Sequence, residues 1–183
     1  PAERLRQLAA WEEELDLCWQ GRPRGPIFVA LADTAEQFAL PIQPFRDLLT
    51  AFRRDVEFAP FATFDDLLGY CRCSADPVGR LILYLFGYRD EERQRLSDRV
   101  CTGLQLTNFW QDVAVDAGKG RLYLPLEDLA HFGCSAEEAT GGALTPALRE
   151  LMAFEVGRAR QLLESGARLR DLVERRLGRE VYL

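Results

Sequence analysis

The sequence predicts an all-α fold, and three observations carry that prediction. No segment alternates apolar and polar residues with a period of two over any useful length. Apolar residues instead recur three and four positions apart through long stretches, the spacing that lines one face of an α-helix. Pro and Gly clusters interrupt these stretches at intervals that suit helices rather than strands. With 48% hydrophobic residues among 183, the chain suits a single domain with a true core.

The first helix is expected over residues 3–20, where Leu5, Leu8, Trp11, Leu15 and Cys18 or Trp19 share a face. GRPRGP at 21–26 breaks it, and Pro26 suits the first turn of a second helix reaching about Phe38. Pro41 and Pro44 mark a fresh start, after which Phe45, Leu48, Leu49, Phe52 and Val56 give a third apolar face. Arg53, Arg54 and Asp55 lie on its polar side and read as a solvated face. Thr63 with Asp66 has the form of a capping box, opening a helix from Phe64 to Phe86. Pro77 removes a backbone donor within it and predicts a kink, beside the small residues Ser74, Ala75 and Gly79. Gly87 ends this helix. Asp90, Glu91 and Glu92 open the next one, expected to run unbroken to Asp116 as a buried element, with Gly118 and Gly120 as its stop. Leu122–Pro125 reads as a short extended link, and Leu126–Phe132 as a small helix. A last helix is expected from Pro146 to Leu177, with an apolar stripe wide enough for packing in a bundle.

Composition excludes several functions. A net charge of −6 with Arg interleaved among Glu and Asp leaves no basic stripe for nucleic acid. The five cysteines, Cys18, Cys71, Cys73, Cys101 and Cys134, form an odd set without metal spacing and read as unpaired thiols in a reducing cytoplasm. The longest apolar run, residues 81–86, falls far short of the ~20 residues of a membrane span, and no signal peptide is recognisable. A cytoplasmic protein that touches a membrane only at its periphery, to exchange a lipidic substrate, is compatible with this. His131 is the only histidine, with no Ser or Cys constellation around it, and reads as structural.

One segment carries chemistry. Gln105, Asn108, Asp112 and Asp116 follow one another in steps of 3, 4 and 4, which places two amides and two carboxylates on one helix stripe. All four offer oxygen, the ligand of hard cations such as Mg²⁺, which one or two carboxylates hold together with substrate phosphates. Lys119 and Arg121 follow directly and suit a diphosphate. A lone D-x-x-x-D on a solvated helix face is the plainer alternative. Against it, Leu104, Leu106, Phe109, Trp110, Val113 and Val115 surround the stripe and predict a helix buried on its other sides.

The stretch QLTNFWQDVAVDAGKGRLYLP resembles the second aspartate-rich motif of the squalene/phytoene synthase family. Tyr70-Cys71 followed by Ser74 to Gly79 resembles that family's YC-x-x-x-A-x-x-VG segment. NFWQDVAVD and Pro77-Val78-Gly79-Arg80 are most similar to the hydroxysqualene synthase branch of bacterial hopanoid biosynthesis. The resemblance extends from Pro1 to about Leu177.

It implies one isoprenoid synthase domain over residues 1–183, a helical bundle incomplete at both ends. The family's first aspartate-rich motif is then expected before Pro1 and its last helices beyond Leu183, so these residues alone are expected to have little activity. It implies Mg²⁺ held by Asn108, Asp112 and Asp116, with Gln105 assisting directly or through water, and a prenyl diphosphate, presqualene or farnesyl, gripped by Lys119 and Arg121. Tyr70 is implied close to the reacting carbons and Asp55 near the pocket. Val78 and Phe109 are implied in the cavity wall with Phe86 and Trp110. Other enzymes of the hopanoid pathway are the implied protein partners.

Alternatives remain open: a squalene or phytoene synthase that first couples two prenyl diphosphates, and a non-catalytic helical partner protein. A head-to-tail elongating prenyltransferase or a terpene cyclase is a further one. The Tyr70–Gly79 block and the R-x-Y-x-P sequence at 121–125 speak against that last reading.

Overall fold

The computed structural model describes residues 1–141 and 144–180, and among them every regular element is an α-helix. The expected all-α fold is thus the observed one. The helices are α1 (Ala2–Trp19), α2 (Gly25–Phe38), α3 (Gln43–Val56), α4 (Phe64–Ser74), α5 (Asp76–Leu85), α6 (Glu91–Gln111), α7 (Val113–Ala117), α8 (Leu126–His131), α9 (Ala136–Thr140), α10 (Pro146–Gly166), α11 (Leu169–Leu172) and α12 (Arg175–Glu180).

The first three follow the apolar periodicity and the prolines. Pro26 and Pro44 occupy the first turns of α2 and α3, where the missing N–H would have no partner in any case. Arg46 pairs with Asp16 at 2.7 Å and Arg53 with Glu12, so part of the expected solvated face of α3 is tied to α1. Thr63 and Asp66 form the predicted capping box at the start of α4, each side chain accepting from the other's backbone N–H at 3.1 Å.

The kink expected at Pro77 is a full break. Ala75 adopts φ −114°, ψ −53°, and the chain restarts as α5 with Pro77 in its first turn. Small residues then let α5 lie close against α6. A Cβ on Gly79 would stand 2.3 Å from Ser97 Oγ and 2.5 Å from Cys101 Sγ.

Helix α6 is the centre of the molecule, packed against α4, α5, α10 and α11. It buries Leu96, Val100, Leu106, Phe109 and Trp110. Its close contact with α10 depends on one glycine from each helix. A Cβ on Gly103 would meet Leu163 Cγ at 2.8 Å, and one on Gly166 would meet Val100 Cγ2 at 2.7 Å and the Leu96 carbonyl oxygen at 2.9 Å.

Two expectations about helix length are corrected, and one further helix is added. The helix expected through Asp116 ends at Gln111, because Asp112 takes φ −100°, ψ 12° before α7 begins. Asp112, Val113 and Val115 are weak helix formers, and a short Asp side chain competes for local backbone groups. The helix expected from Pro146 to Leu177 ends at Gly166, where Ala167 N–H turns back to Glu164 O at 3.3 Å, and α11 and α12 follow as separate short pieces. Helix α9 was not expected, although Ser135 and Glu138 form a capping box at its start, bonded at 2.8 and 3.1 Å. The five cysteines are all free thiols, as expected.

The contact of Gly166 with backbone atoms of α6 leaves little room for relief. Gly166→Ala should lower stability by about 1–3 kcal/mol, a fall in Tm of about 3–9 °C by thermal unfolding. An unchanged Tm would mean that α10 does not lie this close to α6.

Candidate active site

The stripe survives the break at Asp112. Asp112 N–H donates to Asn108 O at 3.0 Å and Asp116 N–H to Asp112 O at 2.8 Å, so the four-residue register continues from α6 into α7. Gln105, Asn108, Asp112 and Asp116 therefore remain one turn apart along one line. The expected burial around them is only partly present: Leu106, Phe109 and Trp110 are buried, whereas Leu104 and Val115 are exposed, as are Asn108 and Asp112. The stripe thus faces open space, with a packed core behind it.

After α7, Gly120 adopts φ 73°, a left-handed conformation that suits glycine, and the chain folds back. Lys119 and Arg121 N–H groups both donate to Asp116 O at 2.9 Å. Lys119 Nζ lies 2.9 Å from Asp116 Oδ1, an exposed ammonium on a mostly buried carboxylate. Arg121 points the other way, donating to Asp55 O at 3.3 Å and to the Tyr123 hydroxyl at 3.5 Å, with its guanidinium 5.9 Å from the Phe58 ring centre.

Asp55 is the meeting point of α3 with α4. Its Oδ1 accepts a 2.8 Å hydrogen bond from the Tyr70 hydroxyl. Burial, then this bond to a carboxylate, pushes the Tyr70 phenol well above its ordinary range, so it stays protonated. Tyr123 is also raised, by burial and by the Asp55 and Asp116 carboxylates, while Arg121 opposes the shift. Tyr123 therefore lies within electrostatic reach of both acids, joining the Tyr70–Asp55 pair to the end of the stripe.

An aromatic cluster backs these groups. The Phe109 and Tyr123 rings stack at 3.8 Å and 7°, and Tyr70 lies 5.5 Å from Phe61, 6.2 Å from Tyr123 and 6.3 Å from Phe109. Arg54 covers Phe61 at 4.3 Å and reaches Tyr70 at 6.0 Å. Phe109 and Trp110 are core residues beneath the stripe, and Phe86 and Val78 lie exposed. Val78, Ile82, Leu85 and Phe86 recur at helical spacing along α5, Leu104 lies one turn before Asn108, and Phe52 one turn before Asp55. All six are more than a third exposed, and α5 packs against both α3 and α6. Large apolar side chains are thus exposed on three neighbouring helices, two of which also carry Asn108 and Asp55.

The donor set fits a hard cation such as Mg²⁺. It is all oxygen, with two carboxylates and amide oxygens one turn apart, open enough to leave positions for water or phosphate. Asp112 caps the C-terminus of α6 and Asp116 lies at the end of α7, where helix carbonyls disfavour negative charge and a nearby cation relieves it. Among the described residues no group of three or more His, Cys, Asp or Glu side chains that could hold a metal ion is present.

Fold and site together define an all-α protein built around an acidic helix face beside an apolar one. The squalene/phytoene synthase family model matches residues 1–183. The chain is 38% identical over 170 residues to the phytoene synthase of Arthrospira platensis, covering 86% of this chain and 55% of that one. Its fold matches the crystal structure of squalene synthase HpnC from Alicyclobacillus acidocaldarius with a TM-score of 0.92 and 44% identity, over 95% of this chain and 66% of that one. A dehydrosqualene synthase crystallised with a ligand matches with a TM-score of 0.85 at 29% identity, over 91% of this chain and 59% of that one. The chain belongs to the squalene/phytoene synthase family. It spans about half the length of the curated relatives it matches.

Sequence reasoning passed over Tyr123 and Arg54. Tyr123 stood in the R-x-Y-x-P sequence without a role, and only the fold back at Gly120 reveals that it bridges Arg121 and the aromatic cluster. Arg54 read as a solvated cation because its target rings, Phe61 and Tyr70, lie on a different segment.

Asp76, beneath the apolar face, titrates unusually. Burial pushes its carboxyl up to about 7 and Asp98 adds to this, while the 2.7 Å hydrogen bond from Thr102 and the charge of Arg80 oppose it. A raised acid holds a proton in the folded state that the unfolded chain releases, so its contribution is complete below the usual carboxylate range and declines as pH rises toward 7. Asp76→Asn keeps an acceptor for Thr102. The variant should melt above the wild type at about pH 8, with the gap closing toward about pH 5. A constant gap in thermal unfolding would contradict the raised carboxyl.

Proposed function

We propose that this protein is a Mg²⁺-dependent synthase acting on prenyl diphosphates in squalene and hopanoid formation. Its proposed reaction converts presqualene diphosphate to hydroxysqualene with release of diphosphate. The observation that carries this reading is the oxygen stripe from Gln105 to Asp116, which runs into Lys119 and Arg121 and lies beside an exposed apolar face.

Lys119 receives the diphosphate, together with Arg121 once its side chain turns from Asp55 O and Tyr123, and their charge offsets that of the leaving group as the carbon–oxygen bond breaks and the electron pair leaves on oxygen. Asn108, Asp112 and Asp116, with Gln105 assisting, would hold Mg²⁺, which would supply further neutralisation of the leaving group. Val78, Ile82, Phe86 and Leu104, exposed and apolar, offer the surface on which the prenyl chain lies. Tyr70, fixed by Asp55 as a neutral phenol, offers its ring close to the cationic carbons. The cyclopropane opens, one water adds through oxygen to the cation, and its proton passes to solvent.

No helix among the described residues is long and apolar enough to cross a membrane. A cytoplasmic enzyme that meets the membrane face only to hand over its lipidic product, beside other enzymes of the pathway, accords with that. A second reading is favoured by the 38% identity to a phytoene synthase: coupling of two prenyl diphosphates head to head, ended by loss of a proton to give phytoene or by hydride from an added reductant to give squalene.

Incubating the native protein with presqualene diphosphate, and separately with farnesyl diphosphate, distinguishes these readings by product. Hydroxysqualene from the first, abolished by chelator and reduced about 100-fold or more in Asp112→Asn and Asp116→Asn, is the expected result. A hydrocarbon made by coupling two simple diphosphates establishes the second reading. A longer diphosphate, or full turnover by Asp112→Asn, overturns both.

A further inference from the structure

Away from the stripe, α10 carries a glutamate that the proposed chemistry does not use. Glu155 is completely buried, and its Oε2 has no hydrogen-bond partner. Facing it from α8 is Asp128, itself buried. One cation serves both: Arg158 Nη1 lies 2.7 Å from Asp128 Oδ2 and 3.4 Å from Glu155 Oε1. The guanidinium is held in place between the rings of Phe64 and Phe154, at 4.1 and 4.2 Å.

Counting charge decides the protonation of this group. One guanidinium neutralises one carboxylate, and the shorter contact assigns it to Asp128. A second carboxylate at Glu155 would be an unpaired buried charge, which is costly enough that the group keeps its proton instead. Burial first, and then the neighbouring Asp128 carboxylate, push the Glu155 carboxyl well above the usual carboxylate range, while Arg158 opposes the shift. The other charged groups nearby do not change the count. Glu127 on α8 adds negative charge and is engaged by Phe64 N–H at 2.7 Å, and His131 of α8 and Asp65 and Asp66 of α4 are exposed.

The cluster also has a mechanical connection. Helix α8 holds the strap before α4 through three bonds: Leu126 N–H to Phe61 O at 2.9 Å, Glu127 N–H to Ala62 O at 3.0 Å, and Phe64 N–H to Glu127 Oε1 at 2.7 Å. That strap carries Phe58 and Phe61, which pack on Tyr123 and, through Phe61, on Tyr70. Whatever holds α8 to α10 therefore holds the aromatic cluster.

We propose that Asp128, Glu155 and Arg158 form a proton-operated latch between α8 and α10, closed while Glu155 is protonated and released when that proton is lost. Release loosens the strap at 58–64 and with it the aromatic cluster around Tyr70 and Tyr123. The latch does not depend on the reaction proposed above, so it is tested without an activity assay.

The test compares wild type with Glu155→Gln, which keeps the shape without the titration, and with Asp128→Asn, which leaves Glu155 alone with Arg158 and should let it ionise at lower pH. Thermal unfolding is followed between about pH 6 and about pH 9, with amide hydrogen exchange of residues 58–64 corrected for intrinsic rate. The wild type should lose about 3–6 °C more than either variant across that range, and its strap amides should exchange faster at the alkaline end, while those of the variants do not. Asp76 is present in all three proteins and cancels in the comparison. Equal pH dependence in wild type and both variants, or strap exchange that does not follow the wild-type loss, would overturn the latch. If Glu155→Gln does not fold, Asp128→Asn provides the same two readouts.

Discussion

The close approach of α6 to its neighbours is the constraint on which the rest of the structure depends. Gly79 on α5 leaves room for Ser97 and Cys101, Gly103 faces Leu163, and Gly166 meets Val100 and a backbone carbonyl. Three positions without side chains let helices pack at distances that larger residues would prevent. Helix α6 is thereby enclosed by α4, α5, α10 and α11, and the stripe of Gln105 and Asn108 is left facing outward. A polar row on such a helix has a rigid base, which is what positioned charge requires.

Much of this fold was legible in the sequence because its signals are local. Pro26, Pro44 and the Thr63–Asp66 box set helix starts through the backbone groups they remove or satisfy, and no partner elsewhere in the chain is needed. The stripe was legible for the same reason, since steps of 3, 4 and 4 depend only on helical geometry. Helix ends were harder to read. Asp112 breaks its helix while keeping the hydrogen-bond register on either side, so periodicity continues across a change in backbone angle. Gly166 ends α10 at a close contact with α6, which no local pattern announces.

The exposure of the site was the feature least accessible to pattern reading. Apolar neighbours at Leu104 and Val115 suggested an enclosed stripe, but each faces away from the core formed by Leu106, Phe109 and Trp110. Helical periodicity tells which residues share a face and not what that face meets. The same gap hid Tyr123 and Arg54, whose significance lies in segments distant along the chain: Tyr123 against Phe109 and Phe58, Arg54 over Phe61.

Asp55 acts through two unlike atoms. Its carboxylate holds the Tyr70 phenol at 2.8 Å, and its backbone oxygen holds the Arg121 guanidinium at 3.3 Å. The phenol of α4 and the guanidinium that follows α7 thus share one anchor on α3. A shift of Asp55 is felt by both at once, so a change at this single residue reaches an aromatic ring and a cation that lie far apart along the chain.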